Sequence, residues 1–244
     1  MQRAYVVVCI LALCVLSCPA PAGPPYVTDD PQPTDDAHYE IYLFGNGATA
    51  RDGNGGAAGI DFNYGAGPNL QLTAVVPLGY DHPVTGRAAT GLGNVELAAK
   101  YRFAHQEDIG WDMAIFPRVF LPAGSAAVGE RHASLLLPLW ASRSWSRWST
   151  FGGGGCELNR GEGSRDFCLM AWALTRKIAR LQLGAELYHQ MADTQGGHAA
   201  TGVGAGFTHD LSDRCHLMGS VGPGLQNAAQ TARYSWYAAV LFTL

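Results

Sequence analysis

The sequence predicts an all-β fold class, a transmembrane antiparallel up-and-down β-barrel of about 12 strands. Only 15% of the 244 residues are charged, against roughly 25% in soluble domains, while 48% are apolar and 31 residues are glycine. Apolar and polar residues alternate with a period of two through most of the chain, which is the pattern of half-buried strands. The connections between these segments are long on one side and mostly short on the other, as in outer-membrane barrels.

The composition excludes several other classes of protein. The formal net charge is −4 and Lys and Arg do not cluster, so we expect no nucleic-acid partner. Disordered chains are rich in charge and poor in aromatic residues, whereas aromatic residues make up 10% of this chain. No apolar run of roughly 18 residues follows the N-terminal segment, so the sequence predicts no transmembrane helix.

Residues 1–22 have the pattern of a secretory signal peptide. An apolar run, Tyr5–Leu16, follows a short positively charged start, and Ala20–Ala22 is an A-x-A cleavage site. We therefore expect export, cleavage before Gly23 and location in the outer membrane of a Gram-negative cell. A second interpretation places a lipoprotein cleavage box in front of Cys18, which would then be lipidated.

Residues 23–37 are a leader of different composition, with four Pro and four Asp. Proline restricts the backbone and removes a hydrogen-bond donor, so this segment is predicted to be irregular. We expect it in the periplasm, in or under the mouth of the barrel as a plug, with its acids paired to Lys100, Arg102 or Arg118. The alternatives are a solvated acidic segment and a set of oxygen ligands for calcium.

Residues 38–244 form the predicted barrel. Asn94–Phe103 shows the alternation most clearly, because apolar side chains such as Leu97 share one face and polar side chains such as Lys100 share the other. The predicted strands are 38–47, 56–66, 69–80, 92–104, 110–121, 133–143, 148–157, 167–176, 180–190, 199–209, 215–225 and 232–244. The long predicted connections are Gly47–Gly55, Asp81–Gly91, Pro122–His132, Leu158–Asp166, Met191–His198 and Gln226–Thr231.

The last predicted strand has an apolar face that continues to the final residue of the sequence. This face consists of Tyr234, Trp236, Ala238, Val240, Phe242 and Leu244. Such a strand is typical of proteins that the barrel-assembly machinery inserts into the outer membrane. We therefore expect outer-membrane lipid and that machinery as partners.

The polar faces of the strands are predicted to line the lumen, because lipid-facing and lumen-facing residues alternate. The candidate lumen residues are Glu40, Asp61, Asn63, Gln71, Asn94, Glu96, Lys100, Arg102, Asp112, Arg118, Arg180 and Glu186. Charges of both signs in a narrow lumen are expected to pair, since an unpaired buried charge costs several kcal/mol. Either a lumen filled by ion pairs or a small polar channel fits this set.

Cysteine, serine and histidine residues supply the remaining candidates. Cys156 and Cys168 are 12 positions apart around a polar, Gly-rich loop, which predicts a disulfide in an oxidising compartment. Cys215 is then expected to be a small buried apolar residue. Ser134 near His132 would fit a barrel hydrolase, but no Gly-x-Ser-x-Gly motif surrounds the serine, so we expect no enzyme. We also expect no metal and no cofactor.

Two segments resemble a known outer-membrane family labelled "MetA-pathway of phenol degradation". Residues 23–33, GPPYVTDDPQP, are similar to the start of that family, although Tyr26 stands where Phe is usual. Residues 90–103, TGLGNVELAAKYRF, resemble its Gly-x-Gly-Asp-x-x-Leu-x-x-Lys-Tyr-Arg-Phe strand, with Asn94 in place of Asp. The matching positions are Thr28, Asp29, Asp30 and Pro31 in the leader and Gly93, Glu96, Lys100 and Arg102 in the strand. The resemblance implies an outer-membrane barrel that passes small aromatic or hydrophobic molecules.

The function that these features predict is passive passage of small molecules, with the charges of the lumen setting selectivity. The solute is not specified by any motif. A closed structural or surface-interaction barrel without transport activity is the alternative, because ion pairs would fill its lumen.

Overall fold

The computed structural model describes residues 25–124 and 128–244. The predicted signal peptide, residues 1–22, and Cys18 lie outside the described residues. The strands are β1 (Tyr39–Thr49), β2 (Gly53–Gly67), β3 (Leu70–Pro83), β4 (Ala89–Leu92), β5 (Val95–Ala104), β6 (Asp112–Ile115), β7 (Arg118–Leu121), β8 (Ser134–Trp145), β9 (Trp148–Leu158), β10 (Phe167–Ile178), β11 (Leu181–Gln190), β12 (Ala200–Asp210), β13 (Cys215–Gln226) and β14 (Tyr234–Thr243). A one-turn helix, α1 (Gln106–Ile109), lies between β5 and β6.

These segments form a closed antiparallel barrel of twelve strands, which confirms the predicted fold class. Segments β4 and β5 follow one another across Gly93-Asn94, and both pair with β3. Segments β6 and β7 follow one another across Phe116-Pro117, and both pair with β5 and β8. Strand β14 pairs with β1 from Glu40–Thr243 to Thr49–Tyr234 and closes the ring.

The alternation in sequence becomes an apolar outside and a more polar inside. On β3, Leu72 and Leu78 point outward and are 47% and 58% exposed, whereas Gln71 and Thr73 point inward and are buried. A surface this apolar is stable only against hydrocarbon, so the outward face is a lipid-facing belt. In the part of the chain that the structure describes, no helix has the length and apolarity to span a membrane.

The two ends of the barrel differ in the length of their connections. The turn end carries the short connections 68–69, 146–147, 179–180 and 211–214 and the 105–111 segment with α1; the loop end carries 84–88, 122–133, 159–166, 191–199 and 227–233. The predicted long connection Gly47–Gly55 is wrong, because β1 and β2 stay paired up to Thr49 and Asn54 and leave only residues 50–52. Small residues in both strands allow this close pairing.

Cys156 and Cys168 are directly opposite one another on β9 and β10 and are joined by a disulfide. Their Cα atoms are 3.9 Å apart. The loops at this end are also tied together, because the backbone of Ser164 bridges to that of Thr194. Cys215 is a free thiol and is half-buried rather than fully buried, since it lies at the turn end of β13.

Candidate functional site

The inner wall of the barrel has a polar arc and an apolar arc. The polar arc lies on β1–β5, and its buried members are Asn63, Gln71, Thr73, Glu96 and Lys100. The apolar arc lies on β6–β10, and its buried members are Ala114, Phe116, Leu136, Trp140, Phe151, Phe167, Ala171 and Ala173. A lumen of this kind offers hydrogen bonds on one side and an apolar surface on another.

The leader runs through the lumen between these walls. Thr28 and Asp30 are fully buried, and Pro31 is less than 2% exposed. The segment begins against β11–β13 and reaches the turn end, where Asp36 forms a backbone bridge with Gly65 of β2. The leader therefore crosses the barrel interior before β1 begins.

One end of the leader is held by a carboxylate on β11. Glu186 accepts hydrogen bonds from the backbone N–H groups of Val27 and Thr28 at 3.1 and 3.0 Å, and from the Thr28 hydroxyl at 2.9 Å. On β13 the Ser220 hydroxyl donates to the carbonyl oxygen of Pro25 at 2.5 Å. Hydrogen bonds to a buried carboxylate are stronger than neutral ones, so Glu186 is the main anchor at this end.

The other end of the leader is held by the polar arc. Lys100 Nζ lies 3.0 Å from Asp29 Oδ1, and Arg102 Nη1 donates to Gln32 Oε1 at 2.6 Å. The backbone N–H of Thr34 donates to Gln71 Oε1 at 2.8 Å. All of these contacts are hydrogen bonds or ion pairs, and none of them is covalent.

Tyr26 of the leader packs into a socket at two glycines of the wall, which leave room for its ring because they have no side chain. A Cβ atom at Gly206 would lie 2.8 Å from Tyr26 Cε1, and one at Gly184 would lie 2.6 Å from the Tyr26 hydroxyl oxygen. The ring also contacts Phe151 on β9, with centroids 6.0 Å apart. Glycine is required at these two wall positions because a larger residue would displace the ring.

The substitution Gly206→Ala is therefore expected to loosen the leader. Overpacking of this kind costs about 1–3 kcal/mol, which corresponds to a loss of roughly tenfold in leader protection. Hydrogen–deuterium exchange at the Thr28 and Thr34 amides measures it. Gly45→Ala is the control, because a Cβ there meets nothing closer than 3.5 Å, and equal exchange in both variants would contradict the role of the socket.

Asp30 is a buried carboxyl group within the leader. Its Oδ1 accepts a hydrogen bond from the backbone N–H of Gln32 at 2.5 Å, whereas Oδ2 has no partner among the described residues. Burial raises the pKa of Asp30 to about 7, because the ionised form loses its hydration, and the charge of Lys100 opposes this rise. Below about pH 7 the docked leader therefore keeps Asp30 mostly protonated.

A cavity of about 620 Å³ lies in the lumen beside the leader. Its charged lining residues are Asp29, Glu40, Asp61, Glu96, Glu186, Lys100 and Arg118. Its aromatic lining residues are Tyr26, Tyr42, Phe44, Phe116, Phe120, Trp236 and Tyr237. This volume lies within the usual range for small-molecule sites, and the lining combines apolar rings with a few charged groups.

The cations of the lumen are already paired. Arg118 donates twice to Glu96, at 2.7 and 2.9 Å, in a bidentate arrangement. Lys100 and Arg118 also lie over the ring of Phe116, at 4.8 and 5.2 Å from its centroid. These contacts fix both side chains against the wall and leave the space beside the leader open.

The structure brings the predicted lumen residues together, with one exception. Glu40, Asp61, Asn63, Gln71, Asn94, Glu96, Lys100, Arg118 and Glu186 line the cavity, and Arg102 and Asp112 lie 3.9 Å apart at the turn end. The assignment of Arg180 to the lumen is wrong, because β11 starts one residue later and Arg180 is exposed in the turn 179–180. The positive φ of Ala179 makes this turn tight.

Sequence reasoning missed the apolar arc and the aromatic lining. Leu136 and Trp140 point inward on β8, while Leu137 and Leu139 of the same strand point outward. The available signal was the continuous apolar run Leu135–Leu137, which indicates a strand that is apolar on both faces.

The residues considered for hydrolysis do not form a pair. Ser134 is buried on the inner wall, whereas His132 is exposed in the loop 122–133, and no hydrogen bond joins them in the described chain. No group of three or more His, Cys, Asp or Glu residues that could hold a metal ion occurs within residues 25–124 and 128–244.

The sequence matches a protein family over most of the barrel. Residues 61–237 match the family described as "Putative MetA-pathway of phenol degradation". The chain belongs to this family. The match spans β3 to β13 completely and includes the lumen residues Glu96, Lys100 and Glu186. A search of curated protein sequences finds no significant match.

Solved structures share the fold of this family member. The COG4313 outer membrane channel from Pseudomonas putida F1 is 12% identical, with a TM-score of 0.70, over 86% of this chain and 96% of that chain. The KdgM porin is 10% identical, with a TM-score of 0.57, over 83% and 98%. The β-domain of the Bordetella autotransporter BrkA is 14% identical, with a TM-score of 0.53, over 85% and 99%. At these identities the likeness establishes an outer-membrane barrel fold.

Proposed function

We propose that the chain is an outer-membrane channel for passive passage of small molecules, aromatic or hydrophobic compounds among them. One observation carries the proposal: a cavity of about 620 Å³ lies inside a closed barrel, beside a leader that only non-covalent contacts hold in place. The leader is the plug of this channel, and its departure would join the cavity to the turn end.

The lining of the cavity supports solutes with an apolar part. Phe44, Phe116 and Tyr237 face the cavity. Apolar surface attracts an apolar solute in rough proportion to the area removed from water. The solved structures that share this fold include an outer membrane channel and a porin, which supports a channel function.

The proposed location is the outer membrane of a Gram-negative cell, after export and removal of residues 1–22. The outward belt, which includes Leu72, Leu97 and Leu187, supports lipid as the surrounding medium. Strand β14 ends at Thr243 and is followed by Leu244, and its outward apolar face supports recognition by the barrel-assembly machinery. The turn end, where β1 begins, then faces the periplasm.

Liposome swelling with the purified mature protein tests the proposal. We expect swelling in small sugars and in small polar aromatic solutes above the rate of protein-free liposomes, because the wall of the barrel encloses a solute-sized cavity. A variant that lacks residues 25–34 is measured beside the wild type and is expected to swell faster. Swelling at the protein-free rate by both proteins would favour the alternative, a closed structural or surface-interaction barrel, for which the ion pairs Asp29–Lys100 and Glu96–Arg118 provide support.

A further inference from the structure

We infer that the cavity selects small organic cations, namely an ammonium group attached to an apolar body. This inference rests on the proposed function, since it names the solute class of the same lumen. It depends on three features of the wall: an excess of carboxylates, a carboxylate without a cationic partner and a pair of stacked rings beside it.

The cavity carries more negative than positive charge. Five carboxylates line it among the described residues, from Asp29, Glu40, Asp61, Glu96 and Glu186, against the two cations Lys100 and Arg118. Both cations are already paired, Lys100 with Asp29 and Arg118 with Glu96. Glu40, Asp61 and Glu186 have no Lys, Arg or His partner within 4.0 Å among the described residues, and their ionised forms favour entry of cations and disfavour anions, because a low-dielectric wall concentrates the field in the lumen.

Asp61 is the carboxylate best placed to receive a cation. It accepts a hydrogen bond from Asn63 Nδ2 at 2.9 Å, and no Lys, Arg or His of the described residues lies within 4.0 Å of it. It stands opposite Tyr42 on β1, on the wall of the cavity. Arg118 acts on Asp61 only from beyond ion-pair distance, so a bound ammonium group would supply the direct partner that an ionised Asp61 lacks.

Two aromatic rings continue this wall towards the loop end. Phe44 and Tyr237 are stacked, with centroids 6.3 Å apart and planes 6° apart. Phe44 is the next inward residue after Tyr42 on β1, so the rings lie beside the Tyr42–Asp61 position. Ring faces attract cations and also cover the apolar part of an amphipathic solute.

The lumen already contains contacts of this chemical kind. Lys100 and Arg118 each combine a carboxylate partner with a position over the ring of Phe116. Asp61 together with Phe44 and Tyr237 offers the same combination without an internal cation. A neutral solute would leave Asp61 uncompensated, and an anion would be repelled by it.

Calorimetric titration of the purified mature protein in detergent near neutral pH tests the inference with three probes that share a benzyl group. Benzyltrimethylammonium is the cation, benzyl alcohol is the neutral probe and phenylacetate is the anion. We expect the cation to bind at least about tenfold more tightly than either of the others, as one cation–π contact and one ion pair would give. Equal affinity for the three probes, or tighter binding of phenylacetate, would overturn the inference.

Substitutions in the wall test whether Asp61 and the stacked rings bind the cation. Asp61→Asn is expected to weaken cation binding by about tenfold, and Phe44→Leu by several-fold, whereas Tyr237→Phe, which keeps the ring, leaves it unchanged. Asp213→Asn removes the same charge from the exposed turn 211–214 and is the matched control. Heat-dependent mobility on gels confirms that each variant is folded. Glu40→Gln is a second variant that removes a carboxylate from the wall of the cavity.

The titration separates this inference from the proposed function. Cation binding without any liposome swelling would retain the inference and remove the channel. Swelling with no preference of the cavity for the cation, or with full cation affinity in Asp61→Asn, would retain the channel and remove the inference.

Discussion

Deletion of residues 25–34 is expected to raise single-channel conductance several-fold. The leader occupies the lumen between the apolar arc and the polar arc, with Thr28 and Asp30 fully buried. A twelve-stranded barrel lies between filled eight-stranded barrels and open sixteen-stranded porins in size, so one chain crossing its lumen blocks a large share of the cross-section. Planar-bilayer recording of the wild type and the deletion variant measures the change.

Two further variants distinguish a plug from a structural support. Replacing residues 25–34 by a Gly/Ser segment of equal length keeps the chain but removes the contacts with Glu186, Lys100 and Gln71, and it should raise conductance as the deletion does. Asp35→Asn changes an exposed acid just beyond the buried part and should not. A folded deletion variant with wild-type conductance would show that the lumen is closed by something other than the leader.

Alternation was sufficient to predict the strands because each barrel strand has one lipid face. Strand β11 was expected at 180–190 and forms at Leu181–Gln190, with Leu183 and Leu187 outward. Boundaries differ where glycine-rich stretches, such as residues 53–55 at the start of β2, read as a loop in the sequence but pair in the barrel. Pairing partners across the strand, and not local preference, decide the state of such residues.

The lumen was predictable only where it is polar. Assigning polar residues to the inside is correct for Gln71 and Lys100, yet Trp140 and Phe151 are also inside and less than 2% exposed. An apolar inner wall requires a partner to cover it, and at Phe151 the partner is Tyr26 of the leader, which lies far away in sequence. Only the closed three-dimensional structure brings the two together.

The contacts of the leader could also be predicted only in part from the sequence. Its acids were expected to pair with Lys100, Arg102 or Arg118, and Asp29 does lie 3.0 Å from Lys100. Arg102 instead contacts Gln32, and Arg118 contacts Glu96 on the neighbouring strand. Which base meets which acid depends on the register of β5 with β7, which sets Glu96 and Arg118 on adjacent strands.

Channel opening is expected to rise with pH between about pH 4 and about pH 7. In this range Asp30 is protonated while the leader is docked and ionised once the leader has left the lumen. A released Asp carboxyl has an ordinary pKa of about 4, while burial raises the pKa of docked Asp30 to about 7. Below about pH 4 the group is protonated in both states, and docking is at full strength. Between these values the released leader is ionised and the docked leader is not, so docking weakens by up to about tenfold per pH unit. Above about pH 7 Asp30 is ionised in both states, and docking weakens no further.

Asp30→Asn should abolish this pH dependence and keep the leader docked at high pH, because the amide has the same shape and no charge to bury. Recording the closed fraction of single channels from about pH 5 to about pH 8 measures the effect. Asp35→Asn, which changes an exposed acid of the leader, is the control and should retain the dependence. Asp29, Glu40 and Lys100 also act on Asp30, so their charges set where in this range the midpoint falls. An Asp30→Asn channel that still opens as pH rises would assign the proton to another group of the lumen.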